Sequence, residues 1–182
     1  MRLESDAGQT GTSVALLVID VQQGLFQKST PIYSAERLLD NLNALIDGAR
    51  RAGVPVLFVQ HADEAMLAEG SEAWRLHPRI QPLPTEPVVH KRHGNAFKET
   101  ALQQELESRG VRTLVIAGLV THGCVKATCL GAMGLGYRII LVRDGHSSYS
   151  KQAVRLIEEW NRKLSGLGAE LRVTTEINFR QL

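Results

Sequence analysis

The sequence is short of the features that would assign it to several large classes of protein. Its 182 residues include two cysteines, 5% aromatic residues and a formal net charge of +2. Lysine and arginine are not clustered, so the charge pattern predicts no surface for nucleic acid or anionic lipid. No apolar run approaches the roughly 18 residues of a membrane span. We therefore expect neither a nucleic acid nor a membrane as a partner.

Missing motifs exclude further classes of site. Cys124 and Cys129 lie five positions apart, where a disulfide would distort the backbone, and CxxC pairs typical of zinc clusters are absent. No GxGxxG follows the first apolar run, which argues against a dinucleotide site, and we expect no cofactor. Residues 1–13 are polar and Gly-rich, without a hydrophobic signal region. We interpret them as a flexible leader on a cytoplasmic protein.

Short apolar runs alternate with amphipathic stretches along the rest of the chain. Continuous apolar runs predict strands buried on both faces, and apolar residues at helical spacing predict helices. The predicted strands are 14–20, 54–60, 86–91, 111–118, 137–144 and 169–175, and the predicted helices are 34–52, 95–109, 124–135 and 151–164. Strands joined by helical crossovers favour a three-layer α/β/α fold with a six-stranded, mostly parallel, Rossmann-like sheet. We expect residues 14–182 to form one domain, with 62–87 as a long loop.

Three reactive side chains come at the ends of predicted strands. Asp20 ends the first, Lys91 ends the third, and Cys124 follows the fourth across the turn 118–123. Ligands of an open parallel sheet bind beyond the carboxyl ends of its strands, so these residues are predicted to share one site. A cysteine at a helix N-terminus is expected to have a lowered thiol pKa. An aspartate can accept its proton, and a lysine can stabilise the charge.

Each of these residues also has a structural interpretation when it is taken alone. A free cysteine is commonly a small buried hydrophobic residue, and an aspartate after a strand is commonly a turn or cap residue. A lysine within H-K-R-H is commonly solvated. The coincidence of all three at one edge of one sheet is what favours catalysis.

Three segments resemble blocks of a known family. LLVIDVQQGLF, VVHKRHGNAFKET and the long segment that begins VIAGLVTHGCV are similar to blocks of the isochorismatase-like cysteine hydrolases. That family includes nicotinamidases and N-carbamoylsarcosine amidase. The blocks occur in the family's order, and the resemblance covers about residues 14–176.

The resemblance implies roles for five residues. Cys124 is expected to be the nucleophile and Asp20 the general acid and base, with Lys91 holding and polarising both. A cis peptide bond is implied between Leu119 and Val120. It would turn the backbone N–H groups of Val120 and Cys124 into an oxyanion hole.

The implied activity is hydrolysis of a C–N bond in a small, non-peptide amide or ureido substrate through a thioester. The resemblance also implies a dimer or a larger homo-oligomer. Vinyl ether hydrolysis of the isochorismate type is an alternative that Cys124 disfavours, because that chemistry does not need a thiol. A non-catalytic protein that binds a small molecule on the same fold is a second alternative, which the intact Asp20, Lys91 and Cys124 disfavour.

The second predicted strand departs from the nicotinamidase pattern. Nicotinamidases of the family usually carry a D-x-H metal motif there, whereas this chain reads V-Q-H-A-D-E, which reverses the order of His61 and Asp63. His77 is a weak candidate for a third ligand, and we expect no metal. The predicted substrate-binding residues are Phe26, Gln60, His61, Trp74, Phe97 and His122. We interpret His90, His93 and His146 as surface or structural residues, and Thr121 as a support of the turn.

Overall fold

Six short strands form the centre of the chain in the computed structural model, which describes residues 13–182. They are β1 (Val14–Ile19), β2 (Val56–His61), β3 (Val88–Lys91), β4 (Thr113–Leu119), β5 (Arg138–Ser147) and β6 (Glu170–Arg172). They pair in the order β3-β2-β1-β4-β5-β6, and every neighbouring pair is parallel. The predicted parallel sheet is confirmed. The predicted leader, residues 1–13, lies outside the described residues except for Ser13.

Helices cover both faces of this sheet. They are α1 (Gln23–Phe26), α2 (Ala35–Arg51), α3 (Leu102–Glu107), α4 (Lys126–Gly134) and α5 (Ala153–Gly166). The apolar stripe of α2 packs in the cluster that holds Leu16 and Val18, while buried residues of α3, α4 and α5 pack in the cluster that holds Leu17 and Ile19. Alternate residues of β1 thus face opposite layers, which is why its sequence is apolar throughout. Within residues 13–182, no helix is both long enough and apolar enough to cross a membrane.

The segment before α3 is not helical, so the predicted helix over 95–109 is wrong for residues 95–101. The N–H of Phe97 donates to Asn95 Oδ1 at 3.0 Å, and the N–H of Ala96 donates to Thr128 Oγ1 at 3.1 Å. Glu99 has a φ of +56°, which no helix contains. The left-handed backbone of Glu99 interrupts the predicted helix, and apolar spacing carries no information on such a backbone angle.

The long loop between β2 and β3 lies against the chain that follows β1. Residues 62–87 contain no helix or strand, as predicted. Backbone hydrogen bonds join Gly24 to Ala73 at 2.8 Å and His77 to Val21 at 2.7 Å. These bonds hold the loop beside the carboxyl ends of β1 and β2, where the polar residues emerge.

Gly118 lets the end of β4 approach β1 more closely than any other residue would. Its φ is +127°, and a Cβ atom at this position would lie 2.1 Å from the carbonyl oxygen of Ile19. Both facts require glycine. The close approach places Asp20, the residue after Ile19, beside the turn that carries Cys124.

We expect Gly118→Ala to lower the free energy of unfolding by at least about 3 kcal/mol, because strain and a backbone clash add. Gly134→Ala is the matched control. It lies in α4 with no heavy atom within 4 Å of its added Cβ, and it should be neutral or stabilising by about 0.5 kcal/mol. Urea unfolding of both variants measures the difference, and equal effects would contradict this account of Gly118.

Candidate active site

Four strand ends meet at one edge of the sheet and supply its polar groups. Asp20 follows β1 directly, His61 and Lys91 are the last residues of β2 and β3, and Cys124 lies in the turn after β4. Asp20 has a φ of +50°, a left-handed conformation that aspartate tolerates better than most residues. The register of β2 and β3 pairs His61 with Lys91.

The Lys91 ammonium lies between the carboxylate and the thiol. Its Nζ is 2.8 Å from Asp20 Oδ2 and 3.2 Å from Cys124 Sγ. The side chains of Lys91 and Asp20 are 0% and 2% exposed. Burial raises the pKa of Asp20, against the opposing effect of the Lys91 charge. The second carboxylate oxygen, Oδ1, is buried and has no hydrogen-bond partner among the described residues.

The expected lowering of the thiol pKa is wrong. Cys124 lies in a wide π-type turn, Thr121–Val125, and α4 begins only at Lys126. Burial and, less strongly, the neighbouring Asp20 together raise the pKa of the Cys124 thiol to about 12, against the opposing effect of Lys91. The thiol therefore keeps its proton at neutral pH.

The turn that carries Cys124 borders the site with its backbone. The peptide bond between Leu119 and Val120 is cis. Gly123 has non-helical backbone angles, and its N–H donates to the Val120 carbonyl at 3.0 Å. Val120, Gly123 and Cys124 all line the adjoining cleft. The oxyanion hole of Val120 and Cys124 N–H groups stays a prediction.

A buried polar network connects this turn to β5 and α5. Thr121 Oγ1 lies 2.8 Å from His146 Nδ1 and 3.1 Å from the Ser147 carbonyl oxygen. His146 Nε2 lies 3.0 Å from Asn161 Oδ1 on α5. Burial lowers the pKa of His146 to about 4, so the imidazole is neutral and donates to Asn161. Thr121 therefore anchors the turn to β5, whereas we expected it to bond the turn's own backbone, and His146 has a structural role.

The cleft beside Cys124 has a volume of about 310 Å³. Two of the predicted substrate-binding residues, His61 and His122, line it. Its complete lining is Asp20, Leu25, Lys28, His61, Asp63, Met66, Leu67, Val120, His122, Gly123, Cys124 and Tyr149. Most of the wall is apolar, and the Lys28 ammonium lies 4.5 Å from the centre of the Tyr149 ring. The cleft therefore suits a small molecule with an apolar body.

The structure does not bring the other four predicted substrate-binding residues to this cleft. Gln60 is buried and donates to the Trp74 carbonyl oxygen at 3.0 Å. The rings of Phe26, Trp74 and Phe97 pack instead against those of His77, His90 and Tyr137, respectively. Phe26 and Phe97 follow strands and Trp74 lies in the long loop, but tertiary packing decides where each ring points.

Sequence reasoning missed several lining residues. Tyr149 follows the end of β5 at Ser147, but the predicted strand ends at residue 144, so the strand-end rule applied to the sequence did not reach it. Leu25, Lys28, Met66 and Leu67 belong to the segments after β1 and β2, which have no periodic pattern that could have indicated their position.

A larger cavity of about 460 Å³ lies between α2, β5 and α5. Its lining includes Arg37, Arg143, Val154 and the buried His146. Asp20, Lys91 and Cys124 do not line it. The smaller cleft is therefore the candidate active site, because Asp20 and Cys124 line it.

The predicted metal candidates do not converge. Among the described residues, His61, Asp63 and His77 form no group that could share one ion, and Asp63 Oδ1 instead accepts the N–H groups of Ala65 and Leu67. The donor atoms of Asp20, His61 and Cys124 do lie within 4.8 Å of one another. The Lys91 ammonium is within hydrogen-bonding distance of all three, however, so this donor set already has its cation.

The chain is similar to known proteins over most of its length. Residues 14–159 match the family model described as the isochorismatase domain. A streptothricin hydrolase of Streptomyces noursei is 36% identical over 137 residues, which are 74% of this chain and 50% of that protein. Nicotinamidase 3 of Arabidopsis thaliana is 32% identical over 154 residues, covering 76% of this chain and 75% of that protein.

The fold has close counterparts among solved structures. The crystal structure of an isochorismatase family protein has a TM-score of 0.84 and 32% identity, covering 90% of this chain and 99% of that one. The chain spans about half the length of the streptothricin hydrolases that it matches.

Neutral His146 makes stability depend on pH. Its pKa is about 4 in the folded chain and about 6.5 when exposed, so the unfolded state binds more protons between these values. Stability therefore falls by up to about 3 kcal/mol as the pH drops from 6.5 to 4. His146→Gln should flatten this dependence in chemical unfolding at several pH values, whereas the exposed His90→Gln should not. Parallel pH profiles for His146→Gln and the unmodified protein would contradict the assignment.

Proposed function

The chain belongs to the isochorismatase family, and from this premise we propose that it is a cysteine-dependent hydrolase that cleaves a C–N bond in a small amide or ureido compound. One observation carries the proposal: a buried ammonium joins a carboxylate and a thiol at the edge of a cleft. The names of two relatives, a streptothricin hydrolase and a nicotinamidase, support hydrolysis and an amide substrate.

The first step follows from the protonation states. Cys124 holds its proton in the resting site, because burial raises its pKa to about 12. Asp20 has one carboxylate oxygen without a partner, and we assign it as the acceptor of the thiol proton. The sulfur then attacks the carbonyl carbon of the substrate. The Lys91 ammonium stabilises the negative charge, which lies on Asp20 before the proton transfer and on the Cys124 sulfur after it.

The later steps return the proton and release the product. The backbone N–H groups of Val120 and Cys124 stabilise the tetrahedral oxyanion, a contribution of about 3–4 kcal/mol per donor in other enzymes. Asp20 protonates the leaving nitrogen, and the C–N bond breaks to give a thioester on Cys124. Asp20 then takes a proton from water, whose oxygen attacks the thioester carbon. The bond between that carbon and the sulfur breaks, the acid product leaves, and Asp20 returns the proton to the Cys124 sulfur.

Two other functions compete with this proposal: vinyl ether hydrolysis, and binding of a small molecule without catalysis. Vinyl ether hydrolysis gives the sulfur no role, whereas the contact between Lys91 and Cys124 Sγ integrates the thiol into the charged cluster. A binding protein would need a cleft but no unpaired buried carboxylate oxygen beside a thiol. Assembly into a dimer or a larger oligomer stays a prediction.

We expect Cys124→Ala to lower ammonia release from small amides and ureido compounds by at least about a thousandfold, because the nucleophile is lost. Cys129→Ala is the matched control. That cysteine is fully buried in α4, and its loss should reduce stability slightly while leaving turnover within about twofold. A chelator should change neither result.

Turnover that survives in Cys124→Ala would contradict the proposed mechanism. If the unmodified protein binds compounds of the panel but releases no ammonia from any of them, the binding-protein alternative replaces it.

A further inference from the structure

His61 contacts the same ammonium that joins Asp20 and Cys124. Its Nδ1 atom lies 3.1 Å from Lys91 Nζ. A lysine ammonium has three N–H donors, and the three acceptors around Lys91 are Asp20 Oδ2, Cys124 Sγ and His61 Nδ1. Every donor of this buried cation is therefore used.

His61 is suited to be the third acceptor. Burial lowers its pKa, and the positive charge of Lys91 lowers it further, so the imidazole is neutral and Nδ1 keeps a lone pair. The opposite protonation state would place a second positive charge against the ammonium. The contact thus orients the ring as an acceptor toward Lys91.

The backbone of His61 is held in place by a buried side chain. Gln22, which is 0% exposed, accepts the N–H of His61 through Oε1 at 2.9 Å and donates to the His61 carbonyl oxygen through Nε2 at 2.9 Å. Pairing of β2 with β3 sets His61 opposite Lys91. The ring is therefore presented to Lys91 by a rigid strand end rather than by a loop.

We propose that His61 is a positioning residue, which holds the Lys91 ammonium so that its two other N–H groups point at Asp20 and at the sulfur of Cys124. Without an acceptor at Nδ1, one buried N–H has no partner, and the ammonium can regain one by turning away from the sulfur. This proposal deepens the proposed function and rests on it. It gives His61 a role different from the substrate contact that its place in the cleft suggests.

Three substitutions separate the two roles. In His61→Asn, the side-chain oxygen is separated from Cβ by the same number of bonds as Nδ1 is in histidine, so the acceptor is kept. In His61→Gln the acceptor lies one bond farther from Cβ, and His61→Leu has no acceptor. Alkylation of Cys124 by iodoacetamide, followed against pH with the modified peptide identified by mass, reads the thiol without needing a substrate. Cys129 is fully buried and serves as the internal control.

We expect His61→Leu and His61→Gln to raise the apparent thiol pKa and to slow alkylation at pH 8 about tenfold, because a hydrogen bond to a charged group is lost. His61→Asn should stay within about threefold of the unmodified protein. With a substrate in hand, kcat should fall at least about tenfold in the Leu and Gln variants, with KM within about twofold.

Two results would overturn the proposal. One is an unchanged alkylation profile in the Leu and Gln variants, with or without a rise in KM; the rise would mark His61 as a substrate contact. The other is an Asn variant as impaired as the Gln variant. If the Leu variant does not fold, the comparison of Asn with Gln decides. Failure to find any substrate would count against the proposed function, while the alkylation profiles would still decide the role of His61.

Discussion

A single desolvated cation sets the requirements that the rest of the site meets. Moving a lysine ammonium out of water costs several kcal/mol unless charges and hydrogen bonds compensate it. The side chain of Lys91 is 0% exposed, and its compensation comes from the residue after β1, the last residue of β2 and the turn after β4. The strand order β3-β2-β1-β4 brings these ends together. Sheet topology is thus the condition for burying this charge.

Burial also determines how the three reactive groups share protons. Desolvation raises the pKa of Asp20 and of Cys124, and Lys91 opposes both shifts. The Cys124 thiol therefore keeps its proton beside the ion pair of Lys91 and Asp20, and the sulfur is not a preformed thiolate.

The sequence predicted the sheet and the reactive set because both follow from local patterns. Apolar runs such as Val14–Ile19 are continuous since their strands are buried on both faces, and the strand-end rule selects Asp20, Lys91 and Cys124 from these runs. Local pattern failed before α3, where the left-handed backbone of Glu99 interrupts the predicted helix. It failed again for the thiol pKa, because the burial of Cys124 is a tertiary property.

The place of His61 illustrates a limit of a different kind. A strand pattern identifies His61 and its neighbour Gln60 as the end of β2 without saying which of them lies opposite Lys91, since that depends on the register against β3. A slip of one residue would turn the imidazole to the opposite face of the sheet and bring the Gln60 amide in its place. The observed register pairs His61 with Lys91, and Gln22 binds both backbone groups of His61 from the segment after β1. The third acceptor of the buried cation is therefore selected by strand register, which no single-strand pattern encodes.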